Sequence, residues 1–271
     1  MAEMSRSEAE QRAYWNGRMC QHWGPEAAGS VPLGRQFNTW RYRVRRVVFR
    51  RLVRRLALPL GTLSVLDIGC GTGFYLEQWQ ALGVASMAGL DISDWAVKQL
   101  ARTYPKAAFY RANIGGMDSP LPVQAFDVIS AIDVLVHLVD DAAYMRAIEN
   151  LRRSLKPGGY LLYSDAFFHG PDQQAGDYWR GRSLAAVTAA MDASGFEIVS
   201  RVPMSVLMSP PTDTRHRQRN ERIWNMAMTP VLRHQWVGGL YGALLYPLEL
   251  LLVCTLKESP AIELMVCRKR S

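Results

Sequence analysis

The sequence predicts an α/β fold, a mostly parallel sheet with helices on both faces, and two stretches predict it. The first is Val65 to Gly73, VLDIGCGTG, in which apolar Val65, Leu66 and Ile68 surround an acid and Gly69, Gly71 and Gly73 then alternate. This pattern marks a buried strand that ends at the carboxyl edge of a parallel sheet and turns tightly into a helix. The helix follows at once in FYLEQWQAL, with Phe74, Leu76, Trp79 and Leu82 at helical spacing. The second stretch is MAGLDIS, Met87 to Ser93, another apolar run closed by an acid, Asp91, about one βα unit later.

The remaining elements follow in order. Residues 1 to 35 open with a polar, helix-like stretch that carries acids and has no apolar core, unlike a secretory signal, and continue through YWNGRMCQHWG and several glycines and prolines. In residues 36 to 57, Phe37, Trp40, Val44, Val47, Val48, Leu52 and Leu56 fall near one helical face, with arginines assigned to the other. Strands are expected at Leu63–Ile68, Met87–Leu90, Ala107–Arg111, Phe126–Ala131, Tyr160–Asp165, residues 196–202 and Ala261–Arg268. Helices fill the gaps: one capped by Ser93, one over 140–156 that ends in PGG, and one in RSLAAVTAAMDASG. The stretch FFHGPDQQAGDYW reads as a loop. Pro203 to Pro260 is far longer than a loop of about 4–6 residues.

That insertion starts polar and ends in the apolar run Gly238 to Leu256. The run approaches the length of a membrane span, but Pro247, Glu249 and its opening glycines favour a buried cap or interfacial helix. The insertion is expected to cap the substrate, with Arg215, Arg217, Arg219 and Arg222 on an anionic head group. Trp224, Met226, Met228, Trp236 and Tyr241 would line an apolar tail pocket, and a dimer interface or membrane-facing surface is the alternative. A net charge of +8 suits anionic partners, or only a solvated helix surface. Cys20, Cys70, Cys254 and Cys267 show no metal-like or disulfide-like spacing, so no metal site and a reducing, cytoplasmic setting are expected.

The two acids constrain the ligand. Asp67 stands two residues before the first glycine, where it would repel a pyrophosphate, and Asp91 can accept both hydroxyls of a ribose. A phosphate-free nucleoside carrying an amine and a sulfonium satisfies both. On LDIGCGTG, GLDIS, FDVISAIDVLVHL and LKPGG, in that order over residues 60 to 200, the chain resembles the class I S-adenosylmethionine-dependent methyltransferases of small molecules. The resemblance implies a helical lid over 1–60 and a Rossmann-like core over 61–202 whose seven-stranded sheet is completed by a last strand and tail over 261–271, with the long insertion over 203–260 as the cap.

The resemblance also implies the contacts of the donor, S-adenosyl-L-methionine. Asp67, Gly69, Cys70, Gly71, Asp91 and Ile92 come from the first two strand ends. Asn113 and Ile114 would hold adenine, with Asn113 where the family commonly has an aspartate. Ala131 would lie under the cofactor, and Tyr14 is the candidate lid tyrosine near its methionine end. Asp133 and His137, at i and i+4, would share one side of a helical turn and face the methyl group. His137 is the candidate base, with Asp133 orienting it or serving as the base itself.

The expected reaction is methyl transfer to a small, moderately apolar molecule, with oxygen as the acceptor atom and S-adenosylhomocysteine as by-product. Carbon methylation of an isoprenoid diphosphate or quinone-like lipid is the alternative. Nucleic acid is not expected as a partner, because AIDVL occupies the place of the Asn/Asp-Pro-Pro-aromatic motif of base-amino methylation. RNA methylation and non-catalytic binding at a membrane surface remain as other classes, and peripheral membrane contact as a further expectation.

Overall fold

The computed structural model describes residues 7–270; residues 1–6 of the expected lid and Ser271 of the tail lie outside the described residues. Helix α1 (Glu8–Gln21) begins at a capping box, in which Ser7 and Glu10 each satisfy the other's backbone N–H. The short α2 (Pro25–Ala28) and a 3-10 turn at Val31–Leu33 lead into the long α3 (Gly34–Arg55). Two side chains pin this leader down. Arg18 donates to the carbonyls of Ala27 and Gly29, at 2.7 and 2.5 Å. Asn16 accepts from the Ser93 hydroxyl and the Trp95 N–H, at 3.1 and 2.9 Å, where the next core helix but one begins.

The core runs β1 (Ser64–Ile68), α4 (Phe74–Leu82), β2 (Ser86–Asp91), α5 (Asp94–Thr103), β3 (Ala108–Arg111), β4 (Phe126–Ala131), α6 (Asp141–Ser154) and β5 (Leu155–Asp165). A hairpin of β6 (Gln173–Ala175) and β7 (Trp179–Gly181) precedes α7 (Leu184–Ala193) and β8 (Phe196–Ser205). Then come α8 (Arg217–Arg233), α9 (Gln235–Thr255) and β9 (Ile262–Lys269). Seven strands form one sheet in the order β3-β2-β1-β4-β5-β9-β8, parallel from β3 to β5, with β9 antiparallel to both β5 and β8. This is the Rossmann-like sheet expected. The order reverses between β1 and β4, so a crevice opens at their carboxyl ends.

Alternation along the strands sorts the two faces. Leu66 and Ile68 join Ile148 and Leu151 of α6 and Val187 of α7, whereas Val65 joins Phe49 and Leu52 of α3 and Trp79 of α4. Three boundaries differ from the sequence reading. Lys156 and PGG lie inside β5 instead of ending α6, and β8 extends to Ser205, so the insertion proper is 206–261. The stretch read as a loop folds into the β6–β7 hairpin, whose three-residue strands are too short to show a period.

The insertion corrects a larger expectation. Neither α8 nor α9 lines the crevice cavity; both pack on the far side of α3. Arg217 pairs with Glu221, Trp224 donates to the Leu207 carbonyl, and Met226 and Trp236 are exposed. Arg215, Arg217, Arg219, Arg222, Trp224, Met226, Met228, Trp236 and Tyr241, expected to hold the head group and tail, therefore do not line the crevice cavity. Length was the misleading signal, because a long insertion can bury itself on a neighbouring helix as well as over a site.

α9 approaches α3 through Gly238, against Phe37, and Gly242, against Trp40. A Cβ on Gly242 would stand 2.7 Å from the Trp40 Cβ and overlap its ring. Gly242→Val should therefore lower stability by about 2 kcal/mol, read as a reduced urea midpoint at unchanged slope. An unshifted midpoint would mean that the seam is looser than described.

Candidate active site

A cavity of about 270 Å³ sits at the crevice, lined by the ends of β1, β2 and β4, the turn after β3, and one face each of α1 and α3. The strand-end wall is the one the sequence marks. Gly69, Cys70, Gly71, Asp91, Ile92, Asn113 and Ile114 all line it. Gly69 has φ +61°, and a Cβ there would run into the Val134 side chain, so both backbone and space require glycine. The Asp91 carboxylate accepts from the Gly71 and Ser93 N–H groups, each at 2.8 Å. Burial raises its pKa, against those N–H groups, and each oxygen keeps a lone pair for a hydroxyl. Asn113 accepts from the Gly115 N–H at 3.0 Å in a local turn, which sets its amide at the cavity wall. Burial pushes the Cys70 thiol far up, so it acts as a small apolar surface.

Three of the expected donor contacts lie elsewhere. Asp67 is buried on the α3–α4 side of β1, where its carboxylate accepts from Ser130 at 2.6 Å and burial pushes its pKa up to about 7. It does not line the cavity, because alternate residues of a strand face opposite ways. Ala131 is fully buried in the core with Leu66 and Ile68, and its successors Ile132 and Asp133 line the cavity in its place. Tyr14 is 43% exposed, with its hydroxyl accepting from Arg18, and it lies outside this cavity. Trp15, one position on, takes the inward place.

Asp133 and His137 both line the cavity, but not as successive turns of one helix. Asp133 has φ +58° and His137 ends a 3-10 turn over Leu135–His137. Asp133 is bound by Arg45 and by the Ser164 hydroxyl at 2.8 Å. Burial raises its pKa, but the charge of Arg45 and these bonds outweigh it, and the carboxyl is held below its ordinary value. It is a poor base, and it does not orient the histidine. The His137 Nδ1 instead meets the Tyr178 carbonyl at 2.8 Å, and Trp15 stands edge-on to the ring at 4.9 Å between centroids. Nδ1–H donating to that carbonyl leaves the lone pair on Nε2. Burial lowers the imidazole pKa, opposed by the carbonyl, so the ring is neutral at pH 7.

The second wall was missed from sequence. Arg41 and Arg45 are 8% and 4% exposed and line the cavity with Tyr42, Phe74 and Tyr75. Arg41 donates to Asn38 and Ser209, each at 3.0 Å, and burial, aided by Arg45, brings its pKa down to about 10. The arginines of α3 thus divide between an inner pair and an outer row. The signal was present: positions 37, 41, 44, 48 and 52 form one stripe, and an arginine stands among its apolar members. Burial raises the pKa of the Tyr42 and Tyr75 hydroxyls, so both are protonated near neutral pH.

The site suits a nucleoside donor with no phosphate: an acid at the second strand end, an apolar and amide wall beyond it, and cations confined to α1 and α3. The family model of a methyltransferase domain matches residues 39–201, more than half of the chain, and the chain belongs to the class I S-adenosylmethionine-dependent methyltransferases. It is 33% identical over 152 residues to a dTDP-4-amino-2,3,4,6-tetradeoxy-D-glucose N,N-dimethyltransferase of Saccharopolyspora spinosa, covering 53% of each chain. It is 34% identical over 151 residues to a ubiquinone biosynthesis O-methyltransferase of Methylobacterium nodulans, covering 54% of this chain and 58% of that one. The chain thus spans just over half the length of these curated relatives. The crystal structure of Burkholderia thailandensis 1,6-didemethyltoxoflavin-N1-methyltransferase, with bound 1,6-didemethyltoxoflavin and S-adenosylhomocysteine, has the same fold: TM-score 0.59, 15% identity, covering 100% of this chain and 94% of that one.

Proposed function

We propose that this protein transfers a methyl group from S-adenosyl-L-methionine to a hydroxyl oxygen of a small, moderately apolar molecule. The observation that carries the acceptor reading is His137, its Nδ1 against the Tyr178 carbonyl, in a cavity walled by Trp15, Tyr42, Phe74 and Tyr75. The donor supplies an electrophilic methyl on a sulfonium. The chain's own residues do the rest. Asp91 holds ribose hydroxyls, Asn113 and Ile114 flank the base, the aromatic rings seat the acceptor and exclude water, and His137 takes the acceptor proton at Nε2.

A second reading is carbon methylation of a quinone-like lipid or an isoprenoid diphosphate. Arg41 and Arg45 among aromatic faces favour it, since they suit an anionic group on the acceptor. Incubation with labelled donor and a panel of phenols, sugars, quinols and prenyl diphosphates separates the two by the position of the added methyl. Transfer to none of them would remove both.

The proton role has its own signature. A base that works only when neutral loses activity as pH falls through its folded pKa, here below the ordinary 6.5, and is insensitive above it. His137→Gln should lower kcat about a hundredfold and abolish that acid limb. Retention of the limb in the variant would assign the proton to another group.

A further inference from the structure

The outer face of the insertion has an apolar stripe with a basic border. Trp236, Leu240, Leu244, Leu248 and Leu251 of α9 follow one another every three or four residues and are 46–67% exposed. Ile223 and Met226 of α8 are exposed as well. α9 is long and apolar enough to cross a membrane, but its other side is committed to the protein. Gly238 and Gly242 meet α3, and Glu249 is wholly buried on the Val206 and Leu207 N–H groups. A helix held in this way lies along a membrane instead of through it.

The border is cationic. Arg43, Arg51 and Arg55 fall on one stripe of α3 beside α9, and none of them has an ion pair among the described residues. Arg43 stacks on Trp40, which meets Tyr246 of α9, so it stands at the seam. Arg51 and Arg55 line a recess of about 270 Å³ with Lys257 and the apolar Leu256, at the end of α9. The recess therefore places cations beside the C-terminal end of the helix that carries the apolar stripe. Charge complementarity favours an anionic surface over a second copy of this same basic-bordered face. An anionic bilayer satisfies both components at once.

We propose that the α8–α9 face docks on an anionic lipid bilayer, the α9 stripe entering the acyl boundary while Arg43, Arg51, Arg55 and Lys257 meet headgroup phosphates. This goes beyond the transfer reaction and does not depend on it. α3 then serves two surfaces, with Arg41 and Arg45 in the catalytic cavity and the outer row at the lipid.

The test is co-sedimentation of the full chain with vesicles of phosphatidylcholine alone or mixed with phosphatidylglycerol. The protein should pellet with the mixed vesicles, and less so as salt is raised. Leu244→Ser/Leu248→Ser and Arg51→Glu/Arg55→Glu should each weaken partitioning about tenfold or more, while donor binding by calorimetry stays unchanged. Equal binding to neutral vesicles, or no binding to either, overturns the proposal; this readout uses the unaltered protein and needs no variant to fold. A concentration-dependent dimer lost in both variants, without vesicle binding, would assign the face to a second copy. Inorganic phosphate binding at the recess, with the leucine substitutions leaving vesicle binding unchanged, would reduce it to a phosphate site.

Discussion

Glu249→Leu is expected to lower the thermal unfolding midpoint by roughly 10 °C or more. The carboxylate is fully buried and accepts from the Ser205 hydroxyl at 2.9 Å and from the Val206, Leu207 and Met208 N–H groups at 2.8, 2.7 and 3.4 Å. Leucine fills the space and leaves these donors without a partner, at about 1–3 kcal/mol for each group that water cannot reach. Glu249→Gln keeps one acceptor oxygen and should fall between the two. Calorimetric melts of all three proteins decide it; a leucine variant as stable as the original would mean that water takes the place of the carboxylate.

Asp91→Ala should weaken donor binding about a thousandfold, measured by titration calorimetry. Its two oxygens fix the glycine turn through Gly71, fix the start of α5 through Ser93, and face the cavity. Loss of two charge-assisted bonds at about 1.5–3 kcal/mol each gives that magnitude. The companion Asp67→Ala separates the two acids, since Asp67 is turned away behind Ser130. It should cost stability and leave donor affinity nearly intact. An equal loss of affinity in both would show that Asp67 reaches the donor after all.

Much of the fold was legible because its signals are local. The strand–glycine–helix unit at 65–82 and the acid closing β2 specify the crevice from a few residues, and the cavity wall of Gly69, Gly71, Asp91, Asn113 and Ile114 follows. What remained hidden depends on which way a side chain turns. Asp67 and Ala131 were placed by proximity to the strand end, and strand alternation carries both into the core. The helical pairing of Asp133 with His137 failed at a single backbone angle, since φ +58° at Asp133 delivers its carboxylate to Arg45, a residue 88 positions earlier.

Glu249 carries more than its place in an apolar run conveys. Its presence in an apolar run argued against a membrane span, and the structure adds that it serves as an acceptor for the turn that follows β8. Arg41 and Arg45 show the reverse. An arginine within an apolar stripe was available as evidence of a buried polar wall, but it was counted with the surface charge.

The sheet order carries one more consequence. Among the described residues β8 is an edge strand paired with β9 alone, and β9 is inserted between it and β5. During synthesis on the ribosome, everything through α9 can emerge while β8 has no neighbour to pair with. The molecule can close only once residue 269 is clear of the exit tunnel, so a nascent chain stalled before that point would display an open sheet margin to chaperones and proteases.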